Sequence, residues 1–335
     1  MAHIATKRFS YWGQFGIFLA LTGVGLIVGQ GIGLIMFLSK DPSLLSSPQN
    51  AMDKLLVPAN AGLLRMAQLI AVIFMFILPA LIYAKICHKK AMLHLGVRTN
   101  MYAPQLIVAV LLMLSALPLV GALRELTLQL PLGDYIKNKI VQSKDDYMKQ
   151  VMVIGVMRNF GEYLVTLFIM ALLPGFAEEL FFRGAMQNLF TRWFKNPVVA
   201  ILLSGFIFSA FHFEYSDFIG RFFLGAVLGW VFYLTGNLWI NVIMHASFNA
   251  LSVTGLYLSM QSQGRIDAAD MEDKFNLYLT LGALAVFIVL GYYLYKYNKS
   301  KNPEIPGKEI LLPGYTNPRN PLTDEIEEIG NSNQA

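Results

Sequence analysis

The chain has 335 residues, 56% hydrophobic and 14% charged, with a mean hydropathy of +0.52 and a formal net charge of +5. A charged share well below the roughly 25% of soluble domains, together with several apolar runs of bilayer-spanning length, excludes an ordinary soluble protein and marks a polytopic membrane protein. The basic residues fall mostly between the apolar runs, which suits membrane topology and excludes a nucleic-acid-binding module.

Lys7 and Arg8 precede an apolar run from about Phe15 to Leu38. It is long for a signal peptide and no small-residue cleavage site follows, so it reads as a retained first span. Gly25, Gly29 and Gly33 form a ridge of small residues at four-residue spacing, suited to close helix approach. A second span is predicted over about 66–84. It is followed by a basic loop from Lys85 to Arg98 that reads as cytoplasmic and holds His88, His94 and the only cysteine, Cys87, which cannot form an internal disulfide. A third span over about 103–123 contains Pro118, and the mixed segment 124–158 is expected to form an amphipathic helix at the membrane interface.

A fourth span, about 160–173, ends at Pro174-Gly175, a pair predicted to break or tilt the helix before a new one carries 177–190. A turn at Lys195-Asn196-Pro197 leads to a fifth span (198–213). A short polar connection from Glu214 to Asp217 then leads to a sixth (218–234), a seventh (238–260) and an eighth (275–295). Beyond Lys301 the tail is polar and proline-bearing, and is expected to be disordered. The expected fold is all-α: a polytopic transmembrane helical bundle of about eight spans with an intramembrane polar cavity. An even count and the basic loops put both termini in the cytoplasm of a protein of the cell membrane.

Ionisable groups inside apolar spans are costly unless paired or used. In Pro174–Arg183, Glu179 and Arg183 are four apart and share a helical face, while Glu178 points about 100° away. Of five histidines, His3, His88 and His94 fall in the tail or the basic loop, which leaves His212 and His245 inside apolar segments, with Asn249 one turn after His245. Glu162 is a weaker candidate for the same cavity. Glu214, Asp217 and Arg221 read as a solvated or interfacial ion-pair cluster. A carboxylate, two imidazoles and a carboxamide in a water-poor cavity suit amide hydrolysis: the carboxylate takes a proton from water, and imidazole or carboxamide donors stabilise the oxyanion. A zinc site made from Glu178, His212 and His245, with an open position for water, fits the same residues, and spacing leaves both schemes open.

The string Glu178-Glu179-Leu-Phe-Phe-Arg183 resembles the Glu-Glu-x-x-x-Arg motif of the CPBP (CAAX protease and bacteriocin-processing, or Abi) intramembrane proteases, which include type II CAAX prenyl endopeptidases. Phe208 to His212 is similar to that family's Phe-x-x-x-His motif, and His245 to Asn249 to its His-x-x-x-Asn motif, in the same order, over about 161–256. The resemblance implies an all-helical intramembrane endopeptidase. Glu178 would be the general base acting with His212 on water, His245 and Asn249 the oxyanion site, and Glu179 and Arg183 the supports of the motif helix. It implies a peptide or membrane-anchored protein substrate, with membrane lipid around the bundle, and leaves metal dependence open. On this basis the chain divides into N-terminal spans with the interfacial segment (1–158), a CPBP-like catalytic core (159–260), a C-terminal loop and last span (261–300) and the tail (301–335). Two other classes fit the intramembrane charges: a proton- or ion-coupled transporter, which the lack of an internal repeat disfavours, and a non-catalytic immunity or scaffold protein.

Overall fold

A computed structural model describes Lys7, residues 9–44, Ser46, and residues 51–99, 101–264 and 276–301. His3 and the tail beyond Lys301 lie outside the described residues. The chain runs through α1 (Tyr11–Lys40), α2 (Pro58–Cys87), α3 (Ala103–Gln129), α4 (Asp134–Ile154), α5 (Phe160–Phe194), α6 (Pro197–Ala210), α7 (Phe218–Thr235), α8 (Leu238–Gln263) and α9 (Leu277–Lys299), with no strand among the described residues.

Six of these helices, α1, α2, α3, α5, α7 and α9, are long and apolar enough to cross a membrane, against the eight or so expected from the sequence. The two that fall short are α6 and α8. With 14 residues, α6 rises only about 21 Å, well under a hydrocarbon core of roughly 30 Å. Helix α8 has 26 residues, but Asn241, His245, Asn249 and several serines dilute its apolar character. Those same residues make it suited to the interior of a bundle rather than its lipid face.

Helices α5 and α7 are the most enclosed spans, the most apolar stretch of each being 56% buried where that of α9 is only 6% buried. Helix α5 packs on α2 through Phe181 and Phe182, both fully buried against Phe76, and on α8 through its middle turns. Helices α3, α7, α8 and α9 build a second apolar cluster around Leu112, Met113, Leu228 and Met244. Lipid competes with side chains for apolar contact, so such packing depends on shape and close approach. Gly175 supplies that approach, since a Cβ there would lie 3.0 Å from both the backbone nitrogen and the Cβ of Ala246, next to His245. Gly175→Val is therefore expected to lower stability in detergent by about 1–3 kcal/mol. Gly16→Val, on an open face of α1, should leave stability within about 0.5 kcal/mol. Equal unfolding midpoints for the two variants would contradict this packing.

Pro174-Gly175 does not break the helix. The chain continues through α5 because the stretch before the proline, Phe168–Leu172, widens to π-helical hydrogen bonding, as Ile73–Ile77 does before Pro79 in α2. A proline lacks the N–H and clashes with the carbonyl four residues back, here Met170 and Met75, and the wider turn removes both conflicts. A third π-helical stretch spans Glu179–Gln187, through the acidic motif itself.

The basic loop also departs from expectation. Cys87 ends α2 and is fully buried, and His88 and His94 are buried with their rings stacked at 3.4 Å. The backbone turns back here: Asn188 Nδ2 donates to the His94 carbonyl at 2.6 Å, and the Arg98 guanidinium donates to the Gly236 carbonyl at 2.8 Å. The 124–158 segment does contain a helix, the 21-residue α4. Its far end is anchored by Arg65 of α2, whose guanidinium donates to the carbonyls of Ile154 and Val156.

Candidate active site

The Glu179 carboxylate is completely buried, which requires that its charge be satisfied on every side. Arg183, one turn on, lies 3.1 Å away, His245 Nδ1 lies at 2.8 Å, and Asn241 Nδ2 donates at 3.2 Å. Arg183 in turn donates to the Gly225 carbonyl at 3.0 Å, and its guanidinium lies over the Phe208 ring at 4.8 Å. Glu179 thus links α5 to α8, and Arg183 links α5 to α6 and α7. Glu179 is the member of the pair that also bonds His245.

A carboxylate paired with Arg183 only accepts, so His245 Nδ1 donates to it, and this fixes the orientation of the ring. The other ring nitrogen, Nε2, then faces Glu178 Oε2 at 3.8 Å. Adjacent carboxylates therefore reach one imidazole from two sides. His212 follows the last turn of α6, where its Nδ1 lies 2.8 Å from the Phe208 carbonyl; a carbonyl accepts, so this imidazole too leaves Nε2 for other partners. Phe208 sits among the rings of His212 (4.9 Å) and His245 (5.9 Å) and the Arg183 guanidinium, which gives the aromatic residue of its motif a packing role.

Glu178, His212, His245 and Asn249 all line one cavity of about 1000 Å³. Its far wall includes Lys144, Tyr147 and Met148 of α4, so the polar helix read from the sequence as interfacial forms part of the enclosure. Glu162 is not among the lining residues; it sits in the first turn of α5 and accepts from the Arg158 backbone N–H at 3.0 Å.

Two features were missed in the sequence. Asn241 carried a readable signal, a carboxamide one turn before His245 in an apolar run. Glu214, Asp217 and Arg221, which read as a solvated or interfacial ion-pair cluster, do form ion pairs, but Glu214 is only 3% exposed and Asp217 9%, and all three line the cavity. Their burial depends on Arg124 of α3, which forms a two-pronged pair with Asp217 and is 93 positions away. No local pattern announces a partner at that distance.

For a metal, the donors on offer are the two Nε2 atoms and Glu178. Among the described residues no three His, Cys, Asp or Glu side chains are grouped as a metal-ligand set. No step below passes through a metal.

The fold and cavity define a multi-pass membrane protein with convergent acid, imidazole and carboxamide groups inside the bundle. The family model described as type II CAAX prenyl endopeptidase Rce1-like matches residues 160–251, about a quarter of the chain, from the start of α5 into α8. That stretch holds all three motifs, and its similarity is to that family. No match is found among curated proteins or among solved structures.

Proposed function

We propose that the protein hydrolyses a peptide bond of a membrane-associated protein or peptide, using water activated by Glu178. The observation that carries this reading is the placement of Glu178 opposite an imidazole already held by a buried carboxylate, in a cavity shared with His212 and Asn249. A separation of 3.8 Å between Glu178 and His245 Nε2 exceeds a direct hydrogen bond and is a span that one water bridges.

In this scheme Glu178 takes a proton from water while the oxygen attacks the carbonyl carbon, and His212 Nε2 accepts the second water hydrogen bond. Asn249 donates to the oxyanion. Glu179 holds the His245 ring beside it through Nδ1. The proton on Glu178 then passes to the amide nitrogen as the carbon–nitrogen bond breaks. Glu179 and Arg183 touch no reacting atom and act by positioning.

The test is cleavage of a broad peptide library by purified protein in detergent and in lipid nanodiscs, with products read by mass spectrometry. Discrete cleavage sites support the reading. Absence of cleavage together with proton-coupled flux in proteoliposomes would overturn it in favour of transport. A chelator strong enough to strip zinc is expected to leave turnover within about twofold, because Glu178 rather than a metal activates the water in this scheme. Loss of turnover restored by added zinc would reverse that conclusion.

A further inference from the structure

His212 stands at the start of a sharp turn, residues 211–217, between α6 and α7. The next residue, Phe213, has φ of 53°, the left-handed region that a bulky side chain enters only when its surroundings impose it. Something must hold this turn. Phe213 itself is 73% exposed, so its own packing does not.

Glu214 has the required contacts. Its carboxylate accepts from the backbone N–H groups of Ser216 (2.9 Å) and Asp217 (3.1 Å) and from the Ser216 hydroxyl, closing the turn on itself. Arg221, one turn into α7, pairs with that carboxylate at 2.9 Å and donates to the Glu214 carbonyl at 3.3 Å. The Arg221 guanidinium lies 5.0 Å over the Tyr147 ring of α4, and Asp217, 3.8 Å from Arg221, also takes Arg124 of α3. On α4, Ser143 accepts from the Tyr215 N–H at 3.2 Å. The turn carrying His212 is thus tied to three helices, and the Glu214–Arg221 pair is the junction of those ties.

We propose that Glu214 and Arg221 are positioning residues of the site, their ion pair holding the 211–217 turn so that His212 stays on the cavity wall it shares with Glu178. The catalytic part of this inference rests on the hydrolytic reading above; the placement of His212 does not. Three full-length variants test it: Arg221→Ala, Arg221→Lys and Glu214→Gln. Arg221→Ala should lower kcat about 100-fold, the scale of loss when a catalytic group is displaced by about 1 Å, with KM changed less than threefold. Arg221→Lys, which keeps a cation beside Glu214, should recover at least about tenfold of that loss. Because the pair acts through His212, the His212→Ala/Arg221→Ala double variant should be no slower than His212→Ala. Losses that multiply, or a change confined to KM, would overturn the proposal.

A second measurement needs no turnover. The rate at which diethyl pyrocarbonate acylates His212, followed by peptide mass spectrometry, should change at least threefold in Arg221→Ala and Glu214→Gln and return toward wild type in Arg221→Lys, with the His245 rate unchanged. An unaltered His212 rate in folded variants would sink the idea. If wild type cuts no peptide, the hydrolytic reading fails, while the acylation rates still decide whether the pair holds His212.

Discussion

Glu178→Gln is expected to lower peptide turnover by about 10²- to 10⁴-fold, the contribution of a positioned general base, while leaving the unfolding midpoint in detergent near wild type. The substitution keeps the volume of the side chain and one of its oxygen acceptors, so the helix packing around Gly175 and Ala246 is undisturbed. It removes the charge that would receive the proton of water. The stability half of the expectation follows from the surroundings: the Glu178 side chain retains 13% exposure toward the cavity, and its nearest charged partner, His245, is already held by Glu179. Retained turnover within threefold would show that Glu178 is not the base, and would point to the Nε2 atom of His245 or His212 as the acceptor. A collapse of stability instead would show that the carboxylate serves as structural glue.

The largest effect on folding is expected at Arg183. Replacing it with methionine leaves the Glu179 carboxylate, 0% exposed, with only the His245 and Asn241 donors. Breaking one side of a buried ion pair costs about 3–5 kcal/mol, because the remaining charge cannot regain water. The Arg183 guanidinium also fills the space over Phe208 and caps the Gly225 carbonyl, so its loss loosens α5 against α6 and α7 as well. Removing both charges, as in Glu179→Gln/Arg183→Met, should restore much of that stability, since no orphan charge remains. Activity should not return with it: a carboxamide beside His245 Nδ1 is a weaker acceptor than the carboxylate and orients the ring less firmly. Denaturation curves and turnover measured on wild type, Arg183→Met and the double variant separate the two roles. A double variant that regains both would show that Glu179 serves the fold alone.

These expectations depend on different kinds of information. Features set within one or two helical turns were legible in the sequence, because helical geometry alone puts residues four apart on one face. The Glu179–Arg183 pair, the Phe208 carbonyl under His212, and the succession of His245 and Asn249 toward one cavity are of this kind. The apolar runs likewise determined a helical membrane bundle, since only helices and closed barrels satisfy the backbone in lipid. The Lys195–Pro197 turn was readable for the same local reason: Asn196 caps α6 by accepting from the Val198 and Val199 N–H groups, and Pro197 occupies its first turn.

What the tertiary structure alone decided is which of these local faces meet. Glu179 reaches His245 across 66 positions and Asp217 reaches Arg124 across 93, and no periodicity encodes either meeting. The same is true of burial: Cys87, His88 and His94 sit in a basic stretch that reads as an exposed loop, yet the return of the chain against Asn188 and Gly236 encloses them. Pro174-Gly175 reads in the sequence as a break or tilt because a proline removes a hydrogen bond, and only the folded helix shows that a wider turn upstream carries the chain through. The sequence by itself determined a helical membrane protein with an acid, two imidazoles and a carboxamide spread over three helical segments. The packing of α5 against α8 at Gly175, and of α3 and α4 against the turn after His212, decided that they share one cavity, because contacts between helices depend on shape and charge that become adjacent only when the chain is folded.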